Sequence, residues 1–220
     1  MTTLTRISAR TSPDQIPIWQ RATWEDFVEC CQNAHGENFR IFFNQGYLFV
    51  DMGWEGIDHA RYRELLTMLF FVWFSRQRSQ IFDCLGGCIL EKPKQRAASP
   101  DQVLYIGEGS PRWREGEPRR VNLRDWRVPD LVCEVGDTTL ATDLDEKKQI
   151  YAGLEIPEYW VIDVQGSRVL VFLLQPDGKY QESNISGALE GLSIALVAET
   201  LGRLQQESNG NAALWFAQQI

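Results

Sequence analysis

Three residues of this chain have types and spacings that could do phosphate chemistry. Asp101 follows Pro100 at the head of an apolar run, and Asp130 follows Pro129 at the head of another, Leu131-Val132-Cys133-Glu134-Val135. Side chains alternate along a strand, so Asp130, Val132 and Glu134 share a face. A carboxylate placed among Leu, Val and Cys must be paired, hydrogen-bonded or metal-bound, because burying it alone is costly. Asp143, Lys147 and Tyr151 follow at a spacing of four, which places them on one helix face, with Lys147 able to point back at Glu134. Two carboxylates from neighbouring strands can hold a hard divalent ion such as Mg²⁺. Such an ion activates water and offsets charge on a phosphate, and a nearby lysine can orient the water or stabilise developing charge. Taken singly, each residue has a plainer reading. Asp101 suits a strand entry, Lys147 a solvated helix face, Asp130 a strand cap, Asp143 a helix N-cap and Tyr151 packing.

The elements that must position these groups follow from the hydrophobic pattern. Residues 1–22 read as a loose arm. Thr23, with Asp26 three residues on, predicts the start of a short helix through about Cys31. Phe39 to Phe43 and Tyr47 to Asp51 predict two strands joined by a tight turn at Asn44-Gln45-Gly46. Asp58 is placed to cap a helix to about Gln77, whose stretch Leu65 to Phe74 is apolar all round and therefore buried in a core or at a dimer interface. Strands are predicted at Ile81 to Glu91 with a Gly86-Gly87 break, at Val103 to Ile106 and at Val128 to Val135. A helix from Asp143 to about Gly153 precedes two more strands, Glu158 to Val164 and Arg168 to Leu174. Leu189 to Leu204 suits a short strand or a closing helix, and the segment after Glu207 carries no clear pattern. The order gives an α/β (α+β) fold, a central mixed β-sheet flanked by helices, with at least one strand–helix–strand crossover. The domain is expected to span 23–204, followed by a tail at 205–220.

Composition excludes several classes. The 220 residues are 44% hydrophobic and 24% charged, as in globular proteins, with a net charge of −8. So acidic a chain is not a general coat for nucleic acid. Five cysteines, an odd number, argue against a disulfide framework. Together with an N-terminus lacking an apolar signal region, they predict a cytoplasmic protein, and no run approaches the ~20 apolar residues of a membrane span. Cys84 and Cys88 lack a second ligand pair for zinc. Gly-rich phosphate loops, dinucleotide-binding fingerprints and the serine-hydrolase elbow are absent. One local surface runs against the overall charge. Residues 110–127 hold Arg112, Arg114, Arg119, Arg120, Arg124 and Arg127 against Glu115, Glu117 and Asp125, with Trp113 and Trp126 interleaved. This is a candidate phosphate contact, or else a solvated loop with a packed tryptophan.

PDLVCEV at 129–135, DLDEK with Tyr151, and PEYWVID at 157–163 resemble the Uma-type restriction endonuclease family of the PD-(D/E)xK nuclease superfamily. The hairpin NQGYLFVDM and the helix after His59 resemble its N-terminal half more weakly. The resemblance covers roughly residues 23–200. It implies a restriction-endonuclease-like fold and Mg²⁺-dependent (or Mn²⁺-dependent) cleavage of DNA phosphodiesters. It implies Asp101 and Glu134 as metal ligands and Lys147 as the catalytic lysine, and His59 matches a family histidine that could touch substrate or metal; the charge of the 110–127 loop, read by itself, offers Arg112, Arg114, Arg119 and Arg120 as candidate substrate contacts. The superfamily usually carries its lysine two residues after the glutamate. Here that position is Gly136, which leaves room for a lysine from the next helix. A homodimer is expected, since two strands need two sites. The competing expectation is a catalytically silent member that binds nucleic acid or a protein, and a third is a hydrolase of another phosphate ester.

Overall fold

Thr23 and Asp26 cap each other. The Thr23 amide donates to Asp26 Oδ2 at 2.7 Å, and the Asp26 amide donates back to Thr23 Oγ1 at 3.1 Å. This reciprocal box satisfies two of the free donors at the start of α1, Trp24–Asn33. The structure, a computed structural model, describes residues 18–33, 39–51, 55–76 and 80–220. The arm expected at 1–22 lies outside the described residues up to 17. Beyond it a two-residue strand β1, Gln20–Arg21, pairs with the first hairpin.

That hairpin is β2, Arg40–Asn44, and β3, Tyr47–Asp51, with Gln45 and Gly46 both at positive φ (46° and 92°) in its turn. Two central residues in this region match the right-handed twist of the strands they join. Helix α2, Ile57–Ser75, buries His59, Tyr62, Leu65, Leu66, Leu69, Phe70 and Phe74, one stripe at helical spacing, and leaves Phe71 64% exposed. The N-cap is Gly56 and Asp58 lies in the first turn, one residue inside the helix, while the predicted end at Gln77 lies outside the described residues.

Next come β4, Phe82–Leu85, β5, Ile89–Lys92, β6, Arg96–Ala98, and β7, Gln102–Ile106. The long loop from 107 contains one short strand, β8, Arg120–Asn122. Strand β9, Leu131–Gly136, is buried along its whole length. The helix expected from Asp143 to Gly153 is two helices, α3, Leu140–Leu144, and α4, Glu146–Gly153. The break is at Asp145, whose φ of −117° and ψ of −86° are not helical. Asp143 consequently lies inside α3 and is not an N-cap. Strands β10, Glu158–Asp163, β11, Arg168–Leu174, and β12, Tyr180–Ser183, form a meander, followed by α5, Ile194–Gly202. The unassigned C-terminal segment is helix α6, Asn209–Gln219, capped by Ser208, whose Oγ accepts the Asn211 amide. Arg61 of α2 ties it in by donating to the carbonyls of Leu204 and Glu207.

The strands form two mixed sheets. One runs β12-β11-β10-β9-β7-β4 and the other β1-β3-β2-β6-β5-β8. In the first, β9 and β10 are parallel and are joined through α3 and α4, the expected crossover. Its outer face packs on α2, α5 and α6 through Leu131, Cys133, Val135, Trp160 and Phe216. Its inner face meets α4 and the second sheet through Val132, Tyr151, Tyr159, Phe42 and Phe49. Each large apolar side chain buried in these layers contributes roughly 1.5–3 kcal/mol. A smaller core of Phe27, Ile41, Phe43 and Leu48 lies under α1. Successive residues of β9 thus face opposite cores, which sends Glu134 to the seam between the sheets and α4.

Candidate active site

The register of β7 on β9 sets the site. Gln102 lies opposite Cys133, so Asp101, one residue before the strand, falls opposite Glu134. The Asp101 amide donates to the Cys133 carbonyl, and the Asp101 carboxylate then takes the next amide, that of Val135, at 2.8 Å. The side chain thus continues the ladder where the strand ends and is fixed by it. Its other partners are His59, with Nε2 3.1 Å from Oδ2, and Arg40, with Nη1 2.9 Å from Oδ1. Burial would push the Asp101 carboxyl up, but the His59 hydrogen bond and the Arg40 charge outweigh it and hold the group below the usual carboxylate range.

Glu134 is 0% exposed. Lys147 of α4 donates to its Oε2 at 3.0 Å, and the Tyr151 hydroxyl, one turn on, donates to its Oε1. Burial, with the neighbouring charges of Asp101 and Asp143 adding to it against Lys147, pushes Glu134 up to about 7. Lys147 is 1% exposed, with Nζ 2.7 Å from Asp143 Oδ1, an ion pair without hydrogen-bond geometry, and 4.5 Å from the ring centre of Phe42. Burial opposes its charge, while Glu134 and Asp143 together raise its pKa. Asp143 is itself buried and accepts the Thr139 hydroxyl at 2.8 Å. Asp101, Glu134 and Lys147 therefore do converge, and Tyr151 touches the same carboxylate.

Gly136 explains why the lysine comes from a helix. A Cβ there would lie 2.8 Å from Asp143 Oδ2 and 3.3 Å from Leu140 Cα, inside the turn into α3. The strand position has no room for a side chain while Asp143 holds Lys147.

His59 lies between two carboxylates, Nδ1 2.6 Å from Glu55 Oε1 and Nε2 3.1 Å from Asp101 Oδ2. Only an imidazolium can donate to both. Burial works against that charge, but the Asp101 contact prevails and the pKa is raised. Arg40 was not singled out by type or spacing. It opens β2 directly across from Asp51 of β3 and bonds Asp51 Oδ2 through Nη2 at 3.1 Å. Its Nη1 also lies 4.0 Å from Glu134 Oε2. Burial disfavours the guanidinium charge, yet Asp101, Glu134 and Asp51 strengthen it. An arginine in the run Phe39-Arg40-Ile41-Phe42-Phe43 is as out of place as Glu134 in its own strand, and that was the available signal.

Arg40, Asp51, Glu55, His59 and Asp101 line a pocket of about 540 Å³, while Glu134 and Lys147 lie behind it. Across the turn after β4 a second pocket, about 410 Å³, is lined by Trp113, Trp126 and three of the loop arginines. Those arginines are mostly engaged within the protein. Arg112 pairs with Asp83 at 3.1 Å, Arg114 with Glu117 at 3.8 Å, and Arg120 with Glu91 at 2.7 Å. Arg119 stacks over Trp113, 5.5 Å from the ring centre. Asp130 bonds the Ile106 amide and Arg127 at the strand entry, as its position suggested. Asp163 holds the β10–β11 turn through Gly166 and Arg168.

Glu158, in the PEYW stretch, is a structural carboxylate. It accepts from Trp160 Nε1, Ser186 Oγ and the amides of Gly187 and Ala188 at 2.5–2.8 Å.

Among the described residues no group of three or more His, Cys, Asp and Glu side chains is placed to hold a metal ion. The donor chemistry nevertheless suits a hard cation. Asp101 Oδ1 and Glu134 Oε2 already converge on one positive nitrogen, Arg40 Nη1. Two carboxylates completed by water are what Mg²⁺ takes.

The family model described as "Uma2: Putative restriction endonuclease" matches residues 24–205. No curated protein matches the chain. A crystal structure of a putative nuclease belonging to DUF820 from Anabaena variabilis is similar in fold. Its TM-score is 0.57 at 18% identity, with 82% of this chain and 99% of that one covered. No helix among the described residues is long and apolar enough to cross a membrane. With the model spanning the hairpin, both site strands, the lysine helix and the meander, the chain belongs to the Uma2 family.

Proposed function

We propose that the chain is a divalent-metal-dependent endonuclease that hydrolyses DNA phosphodiester bonds. The observation that carries this reading is the pairing of Asp101 with Glu134 across β7 and β9, beside a buried lysine and at the back of a polar pocket. Asp101 and Glu134 would hold Mg²⁺ or Mn²⁺, which when bound supplies charge stabilisation at a phosphoryl oxygen and a more acidic water. The chain's own groups have separate tasks. Glu134 sets its carboxylate opposite Asp101, where the two would share the ion. Lys147 keeps that carboxylate oriented and offers positive charge next to it. Tyr151 fixes the other carboxylate oxygen. His59 and Arg40 present positive charge to a phosphate entering the pocket, and the Trp113–Arg119 pocket, lined by Leu85 and Cys88 on either side of the Gly87 that lines the first, would extend the contact. A homodimer in the cytoplasm, presenting two such sites to a duplex, completes the proposal. The exposed side chains of Met68 and Phe71 on α2 offer an apolar surface for it.

The test is plasmid nicking with Mg²⁺ or Mn²⁺ by the wild type and by Glu134→Gln. Cleavage that needs the ion and disappears in a folded Glu134→Gln protein is the expected result. Cleavage that persists in the variant would refute the assignment. A second reading, a silent nuclease-fold protein that binds nucleic acid or a protein partner, is favoured by one observation. Every oxygen of Asp101 and Glu134 already has a protein partner. DNA binding without cleavage under any divalent ion would select it.

A further inference from the structure

We propose that Arg40 is a built-in counterion that closes the Asp101–Glu134 site, and that its guanidinium must leave the two carboxylates before a divalent cation can sit between them. The inference rests on the metal-dependent reading above and adds to it a residue and an order of events.

Geometry comes first. A single nitrogen, Arg40 Nη1, lies 2.9 Å from Asp101 Oδ1 and 4.0 Å from Glu134 Oε2, the place of a bridging cation. The remaining directions are taken. Glu134 is bonded by Lys147 on one oxygen and Tyr151 on the other. Asp101 Oδ2 accepts from His59 and the Val135 amide. The side of the carboxylates still open to a new cation is the side Arg40 covers.

Charge leads to the same conclusion. The acids Asp101, Glu134 and Asp143 already face Arg40 and Lys147, so positive side chains occupy the place a cation would take. Adding a divalent ion with Arg40 in place would press two positive centres together out of water, which is costly. Exchange of one cation for another avoids most of that cost. Lys147 is a poor candidate to move, since it is 1% exposed and clamped between two acids over Phe42. Arg40 has a route out. Its side chain is 27% exposed, it lines the pocket, and its second nitrogen holds Asp51 at the pocket wall. Rotation about that Asp51 contact frees Nη1 without releasing the whole side chain.

The experiment measures Mn²⁺ binding by electron paramagnetic resonance and Mg²⁺ binding by calorimetry, in the wild type and in Arg40→Met, which keeps bulk and removes charge. Arg40→Met should bind at least about tenfold more tightly, about 1.4 kcal/mol. Adding Asp101→Asn should abolish the gain. Equal or weaker binding by a folded Arg40→Met protein overturns the gate and leaves the metal reading standing. Absence of binding in every folded protein removes the metal reading, and the gate with it. Should Arg40→Met fail to fold, the wild type decides. Its Arg40 side-chain Nε–Hε signal in ¹⁵N NMR, assigned through its own carbons, should shift and sharpen on Mg²⁺ saturation. Mg²⁺ binding that leaves that signal unmoved overturns the proposal.

Discussion

Lys147 and Glu134 meet with Nζ 3.0 Å from Oε2, each side chain 1% exposed, although one is on a helix and the other on the strand before it. The contact is possible because α3 and α4 break at Asp145 and because Gly136 leaves the intervening turn without a side chain.

This pair should matter to folding as well as to chemistry. Lys147→Met removes the charge that Glu134 and Asp143 both face and leaves two buried carboxylates with less compensation. Breaking a buried pair from one side costs about 3–5 kcal/mol. Urea denaturation should show a loss of that order. Glu134→Gln should lose clearly less, since an amide can still accept from Lys147 and Asp143 remains to pair with it. Equal losses from the two variants would mean that Asp143 contributes nothing.

Stability should depend on pH in a direction set by Glu134. Its carboxyl is raised from 4.5 to about 7, so the folded state holds a proton that the unfolded state has released. That contribution is present in full below about pH 4.5 and is lost as pH rises through about 7. His59, also raised, acts in the same sense above its ordinary value of 6.5. Asp101 is lowered and has the opposite sign. Its contribution is present above its ordinary 3.8 and is lost as pH falls through its folded value. Between pH 5 and 8 the wild type should therefore lose stability with a slope of at most about 1.4 kcal/mol per pH unit per group. Glu134→Gln should flatten that slope, and His59→Gln should remove only its upper part. Thermal melts at four pH values decide the matter, and an unchanged slope in Glu134→Gln would contradict it.

How much of this was legible depends on the distance over which a residue finds its partners. The strand face of Glu134, the crossover and the Thr23 cap are local consequences of period and type, and the sequence motif joined Asp101 and Lys147 to them. Arg40 enters from a hairpin 61 residues before Asp101, and nothing local says where β2 will lie. Its charge in an aromatic run, opposite Asp51, was a visible anomaly without an address. The α3–α4 break at Asp145 is not announced by residue type or period, and it leaves Asp143 inside α3 instead of at a cap. The loop arginines were legible as a cluster of charge, but their acids lie on β4 and β5, which only the folded chain brings beside them.

Glu158 offers a control for the site. It belongs to the same motif as Glu134, yet its four partners all belong to the fold. Glu158→Ala strands the amides of Gly187 and Ala188 together with the Trp160 indole, each unsatisfied group costing about 1–3 kcal/mol. The variant should melt well below the wild type, while Mn²⁺ affinity per folded molecule stays unchanged. A selective loss of metal binding at full stability would move Glu158 into the site.

Arg119 and Arg120 are neighbours in sequence and should behave as opposites. Arg120 is 14% exposed at its side chain and bonds Glu91, itself 8% exposed, at 2.7 Å. Its removal leaves a buried acid unpaired, so Arg120→Ala should cost stability, about 3 kcal/mol or more, and leave DNA affinity per folded molecule nearly intact. Arg119 is exposed and rests on the face of Trp113, beside a pocket that also holds Trp126. If that surface contacts DNA as proposed, Arg119→Ala should leave the melt unchanged and weaken binding about equally for all sequences, because a phosphate contact carries no base information. The slope of log affinity against log salt should fall by about one, the signature of one lost phosphate contact. Trp113→Ala should weaken binding as well without altering that slope, since the ring positions the guanidinium but carries no charge. Fluorescence anisotropy with a labelled duplex at four salt concentrations separates these cases. An Arg119→Ala protein with unaltered affinity and slope would remove the loop from the DNA surface and confine substrate contacts to the Arg40–His59 pocket.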